Sequence, residues 1–264
     1  MFPDILIPIG IFAALGVLFG VILAIASRVF AVKTDERIER LTEALPGANC
    51  GGCGYSGCAA FAEAVIKGDA KPDGCRACKA ENLKVIGEIM GVELGDPTPQ
   101  RACVMCSGSC HTAVYKYHYE GAQDCIAAHR MGGGDKACPN GCIGLGTCVA
   151  ACKYDAIHVI DNVAVVDPEK CSGCGACVNN CPMHIISMIP ITGAYSVVCR
   201  SVEKGADTRK MCAVGCIACH ICEKNCPVGA ITVTDFIATI DQEKCIGCGK
   251  CASKCPRKII KPIE

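Results

Sequence analysis

Tryptophan is absent from the 264 residues and aromatic side chains make up only 5% of them, so large flat rings contribute little to any core. Neither sign of charge is in excess. Lys plus Arg number 26 and Asp plus Glu number 26, which removes the global basic field expected of a nucleic-acid binder. Also missing are a Ser/His/Asp grouping, a P-loop and a GxGxxG set between a strand and a helix; the MGGGD at 131–135 reads as a turn. No substrate-transforming site is visible, and no flavin or nucleotide is expected. What the chain has in abundance is cysteine, 27 in all, a usage high enough to define the class by itself. A core this thin needs cross-linking by disulfides or metals.

Long hydrophobic runs are confined to the N-terminus. From Ile5 to Ser27 no residue is charged, and a helix of that length at about 1.5 Å per residue covers a hydrocarbon core of roughly 30 Å. A cleaved signal peptide is the rival reading, but Met1, Phe2, Pro3 and Asp4 give it no basic flank. The expectation is therefore a single N-terminal transmembrane helix. Arg28 and Lys33 after the run, against Asp4 before it, put the remainder on the cytoplasmic side of the cell membrane, where thiols stay reduced. Gly16 and Gly20 form a GxxxG spacing suited to a neighbouring helix, although membrane helices are also simply rich in glycine.

The second half is a duplication. Adding 74 to Cys125, Cys138, Cys142, Cys148, Cys152, Cys171, Cys174, Cys177 and Cys181 lands each time on another cysteine, from Cys199 to Cys255. The segments between agree: AIHVIDNVAVVDPEKC (156–171) and AITVTDFIATIDQEKC (230–245) both alternate like a short β-hairpin entering a Cys turn. Ahead of the repeat, an amphipathic helix at 35–45 leads into PGANCGGCGYSGC, a second helical stretch and PDGCRAC, with DPTP (96–99) as a linker. The expected fold is α+β, divided into an anchor (1–33), a small helical Cys-rich iron–sulfur domain (34–95) and two tandem ferredoxin-like modules (96–195 and 196–264).

Three runs read CxxCxxCxxxCP, beginning at Cys171, Cys216 and Cys245. In the bacterial ferredoxin run the first three thiolates hold one [4Fe–4S] cluster and the fourth reaches the other cluster of the pair. That rule groups Cys216, Cys219, Cys222 and Cys255, then Cys226, Cys245, Cys248 and Cys251, then Cys152, Cys171, Cys174 and Cys177. The remaining set of the first module is broken, because Leu145 stands where the duplicate has Cys219. Cys142, Cys148 and Cys181 then lack a partner, for which Cys138 is the nearest candidate in sequence; a three-iron cluster is the other outcome. Cys50, Cys53, Cys58 and Cys75 suit a further cluster around a glycine-rich turn. A sixth could use Cys106, Cys110 and Cys125 with Cys199 or Cys212. About six clusters are expected. Zinc explains a third closely spaced Cys and a trailing Pro poorly, and disulfides disagree with a reducing compartment. His220, inside CACHIC, reads as a spacer facing away from its cluster.

Clusters without a nucleotide fingerprint make a one-electron relay, with soluble reduced ferredoxin as donor and membrane partners as acceptors. The apolar N-terminus, NCGGCGYSGC with Cys75, and the segments GCIGLGTCVAAC and GCIACHICEKNCP together resemble the B subunit of the Rnf complex over essentially the whole chain. The resemblance implies a polypeptide that takes electrons from reduced ferredoxin and passes them to other subunits, which deliver them to NAD or another acceptor while pumping sodium ions or protons. It also implies cluster ligation by Cys50, Cys53, Cys58 and Cys75 and by the module cysteines above. The segment with Cys106, Cys110 and Cys125, and Leu145, depart from the simplest members. Two other readings are a ferredoxin-like relay of a quinone- or hydrogenase-linked membrane oxidoreductase, and a scaffold whose clusters are structural only.

Overall fold

The structure, a computed structural model, describes residues 3–29, 35–95 and 98–263. Helix α1 (Pro3–Val29) has described side chains from Phe12 to Ser27. Among the described residues no helix is long and apolar enough to cross a membrane. The expected single N-terminal transmembrane helix is corrected on that finding. Asp4, Arg28 and Lys33, the residues of the charge-bias argument, have side chains outside the described residues, and Met1, Phe2, Asp96 and Pro97 lie outside them altogether.

Three helices follow: α2 (Glu36–Ala44), α3 (Cys58–Lys67) and α4 (Ala80–Met90). Asp35 starts α2 by accepting the Arg37 N–H at 2.9 Å, and the left-handed Gly68 (φ 83°) ends α3. Apolar residues three and four apart bring Leu41, Phe61, Val65 and Ile86 into one core, with Cys78 inside it.

The remainder is built from four two-stranded antiparallel ribbons. In the first module β1 (Gln100–Val104) pairs with β4 (Ile186–Pro190), and β2 (Ile157–Ile160) forms a hairpin with β3 (Val163–Val166). In the second, β5 (Tyr195–Val197) pairs with β8 (Ile260–Pro262), and β6 (Ile231–Thr234) with β7 (Ile237–Ile240). The hairpins share one register: Ile157 faces Val166 and Ile231 faces Ile240. Each turns through two residues of positive φ, Asp161–Asn162 and Asp235–Phe236, the backbone that matches strand twist. The cores repeat too, Ile157, Ile185 and Ile186 in one and Ile231, Ile259 and Ile260 in the other.

The repeat breaks at one place. Val104 faces Ile186 and Val197 faces Ile260, so the later partners are 74 residues apart and the earlier ones 93. The first module thus carries nineteen additional residues between its opening strand and its first Cys turn, including α5 (Cys125–Arg130).

Candidate metal centres

Each module Cys turn ends on a left-handed residue that starts a short helix: Gly146 before α6 (Thr147–Ala150), Gly175 before α7 (Ala176–Asn180) and, beyond α8 (Gly205–Met211), His220 before α9 (Ile221–Lys224) and Gly249 before α10 (Lys250–Lys254). The coil turns tightly enough for successive thiols to face one cavity. Gly173 is needed for close approach as well as for its φ of 71°, since a Cβ there would run into the Gln100 carbonyl oxygen. His220 tolerates the left-handed position with its ring turned aside, Nδ1 lying 2.7 Å from Glu223 Oε2. That hydrogen bond holds the Glu223 carboxyl below its usual range.

Among the described residues, several cavities are lined by four or more cysteines each. Cys50, Cys53, Cys58 and Cys75 share one in the first domain, where Cys174 also reaches its wall. Cys216, Cys219, Cys222 and Cys255 share another. Cys177 is pushed up to about 12 by burial and then by Cys171, Cys174 and Cys152, which puts those four sulfurs together. Cys251 is raised by burial, with Cys245 and Cys248 adding to the effect; Cys226 packs against the same core. Backbone N–H groups point at several of these sulfurs: Ala102 to Cys171 at 3.5 Å, and, 74 residues apart, Ala156 to Cys152 at 3.4 Å and Ala230 to Cys226 at 3.2 Å.

The structure regroups the other two expected sets. The cavity of Cys142, Cys148 and Cys181 is completed by Cys125, not by Cys138. Asp124 caps α5 through the N–H groups of Ile126 and Ala127, and the Thr147 hydroxyl donates to Asp124 Oδ1 at 2.6 Å while accepting the Cys125 N–H at 2.7 Å. These bonds fasten the additional segment to the Cys turn, and Leu145 packs against it. Cys138 is turned away by the 138–141 turn, where Gly141 N–H donates to the Cys138 carbonyl at 3.3 Å. It lines a different cavity with Cys106, Cys199 and Cys212. Cys110 belongs to neither; it is exposed beside His111 and Asp161.

The donor chemistry fits iron–sulfur clusters. A tetrahedral zinc site with Zn–S of about 2.3 Å holds its sulfurs roughly 3.8 Å apart. Among the described residues the one group of three candidate ligand atoms mutually within 4.8 Å is Cys110, His111 and Asp161. The cysteine quartets are therefore too open for a single ion, whereas a cubane presents its irons at wider-spaced corners. Burial, followed by Cys142, Cys125, Cys181 and Cys177, pushes Cys148 up to about 12; burial raises Cys222 to about 11, and Cys216, Cys219 and Cys255 add to it. Such thiols keep their protons until a cationic centre displaces them.

Neighbouring sets touch. Cys174 of the first module lines the first-domain cavity together with Cys50. Gly52 lies so close to the Cys174 carbonyl that a Cβ would collide with it, and Asn179 donates to the Gly52 carbonyl at 3.4 Å.

Comparison with known proteins agrees with this geometry. Residues 45–77 match a family described as a putative Fe-S cluster, 164–187 a 4Fe-4S binding domain and 215–259 a 4Fe-4S dicluster domain. The chain is 42% identical over 254 residues, 96% of both chains, to the B subunit of the ion-translocating oxidoreductase complex of Methanosarcina acetivorans. It is 44% identical to the B subunit of the Na(+)-translocating ferredoxin:NAD(+) oxidoreductase complex of Acetobacterium woodii, covering 98% of this chain and 78% of that one. Against the proton-translocating counterpart of Clostridium ljungdahlii the identity is 38%, over 94% and 89%.

Proposed function

The chain belongs to the family of B subunits of ion-translocating, Rnf-type oxidoreductase complexes, and from that premise we propose that it takes electrons from reduced ferredoxin and hands them to its partner subunits. It is an electron-transfer subunit carrying multiple [4Fe–4S] clusters, and its partners are the other subunits of a membrane-associated complex. When bound, such clusters take up and release single electrons. The protein's part is to hold them, to set their potentials by hydrogen bonds and charge, and to keep neighbouring sets within reach.

The ligand sets we assign are Cys50, Cys53, Cys58 and Cys75; Cys125, Cys142, Cys148 and Cys181; Cys152, Cys171, Cys174 and Cys177; Cys216, Cys219, Cys222 and Cys255; and Cys226, Cys245, Cys248 and Cys251. The divisions 34–95, 96–195 and 196–264 are the units that carry them, and they face the reducing cytoplasm. The observation that carries the reading is the closeness of successive thiol sets across the chain, exemplified by Cys50 and Cys174 on the wall of one cavity. The ferredoxin step is tested by mixing the anaerobic complex with reduced ferredoxin. Bleaching of its visible absorption within turnover time is expected. Bleaching by dithionite but not by ferredoxin would assign the donor role to another molecule.

A further inference from the structure

Between β1 and its Cys turn the first module runs a segment that meets the tip of the β2–β3 hairpin. There Cys110, His111 and Asp161 offer a sulfur, a ring nitrogen and a carboxylate oxygen that all lie within 4.8 Å of one another, a grouping found once among the described residues. His111 Nε2 is 3.9 Å from Asp161 Oδ1. None of the three lines a cysteine cavity, so they stand apart from the thiol sets.

The two chain segments that carry these groups are pinned together. The Cys110 N–H donates to the Asp161 carbonyl at 2.8 Å, the buried Lys136 Nζ donates to the Gly108 and Asn162 carbonyls at 2.8 and 2.6 Å, and Asn162 Nδ2 donates to the Tyr115 hydroxyl at 3.0 Å. The backbone of every ligand is thus in place before an ion arrives, which removes an ordering cost from binding. All three side chains are exposed. Tetrahedral zinc holds its ligand atoms about 3.3–3.8 Å apart, so closure asks only for a rotation of exposed side chains through about 1–1.5 Å. The duplicate supplies a contrast. Its hairpin tip keeps the carboxylate as Asp235, but at the distance beyond β5 where Cys110 and His111 stand beyond β1 it has Glu203 and Lys204.

We propose that Cys110, His111 and Asp161 form a mononuclear zinc site in the first module, with the fourth coordination position left to water. A thiolate, an imidazole and a carboxylate suit this borderline-soft ion, and the thiolate and carboxylate together balance its two positive charges. On binding, the S–H bond of Cys110 breaks, its proton passes to solvent and a Zn–S bond forms, with no change of oxidation state. The ion staples the segment after β1 to the hairpin and covers a thiol that is otherwise exposed. It takes no part in electron transfer.

The anaerobic, iron-loaded full-length chain is titrated with zinc chloride against a chelating indicator, with iron counted before and after, alongside Cys110→Ser, Asp161→Asn and, as a control, Asp235→Asn. One zinc per chain taken up without loss of iron is expected, bound at least about tenfold more weakly in the first two variants and equally well in the control. Zinc X-ray absorption on the unaltered chain is expected to show one sulfur at about 2.3 Å and nitrogen or oxygen ligands at about 2.0–2.2 Å. That spectrum decides the matter even if a variant fails to fold. A shell of several sulfurs, or zinc entering as iron leaves, puts the ion in a cysteine cavity and overturns the site. Uptake indifferent to Cys110→Ser, which marks an adventitious ion only, overturns it equally, as does no uptake at all.

Discussion

Cys78 lies outside the five assigned sets, yet it is buried in the first domain and its backbone N–H donates to the Cys75 carbonyl at 3.1 Å. The neighbouring Cys78 thiol, above all, lowers Cys75 to about 6, while Cys75 and burial raise Cys78 far beyond the ordinary thiol range. Cys78 is thus placed to donate to a ligand sulfur. A hydrogen bond to a ligand sulfur stabilises the reduced cluster, whose sulfurs carry more negative charge. Cys78→Ala is expected to retain the iron of the first domain and to shift its potential in the negative direction, read by redox titration with EPR. Loss of about four irons in that variant would make Cys78 a ligand instead. Lys136 makes a similar case: replacing it by Met removes a buried cation from beside Cys142. The reduction potential nearest it is expected to fall, with iron content preserved.

Helix α5 is the element that explains Leu145. In the second module Cys219 sits in the Cys turn and is exposed; in the first, the additional segment brings Cys125 in from outside and Leu145 packs on it. Cys125→Ala is expected to remove one set of irons, about four, and Cys125→Ala combined with Leu145→Cys to restore them by recreating the arrangement of the duplicate. Failure of the pair to recover iron would show that the turn at 142–148 cannot present a thiol at position 145. The contact of the first domain with the first module is equally local. Gly52→Ala forces a methyl group against the Cys174 carbonyl, an overpacking that costs about 1–3 kcal/mol. Full iron content with slower electron transfer from the first-domain set is expected, measured by rapid-freeze EPR after mixing with reductant.

What the sequence revealed at this scale depended on chain proximity. The duplicated turns, hairpins and helices α2 and α3 were legible because their signals are local: a cap, a left-handed glycine, an alternating strand. Cys138 lies four residues from Cys142 in sequence, while the turn between them directs the two side chains into different cavities. The 74-residue register matches Cys125 to Cys199, whereas the strand register matches Cys106 to Cys199. A nineteen-residue insertion leaves the downstream spacing untouched, so only the pairing of β1 and β5 exposes it. Asp124 before a short helix and Thr147 in the turn were the available hints to Cys125.

Over the whole molecule the sets follow one another. The first-domain set abuts Cys174, Cys177 borders Cys148, Cys142 borders Cys106, and Cys199 borders Cys216. The second module ends in exposed Lys250, Lys254, Lys258 and Lys261, whereas Arg257, the fifth basic residue there, is committed to the Cys212 and Gly215 carbonyls. Complementary charge speeds the encounter with an acidic partner and fades with salt. Lys254→Glu with Lys258→Glu is expected to slow reduction by ferredoxin most at low ionic strength; a rate unchanged at every salt concentration would place docking elsewhere.

The central claim is that these thiols grip reducible iron–sulfur cubanes and that the chain conducts through them. A stepwise reductive titration of the anaerobic full-length protein, with iron and acid-labile sulfide determined on the same sample, tests it most directly. Equal iron and sulfide are expected, with a broad visible absorption that bleaches in several reversible one-electron steps. A colourless protein, or a coloured one whose absorption no reductant changes, would contradict it.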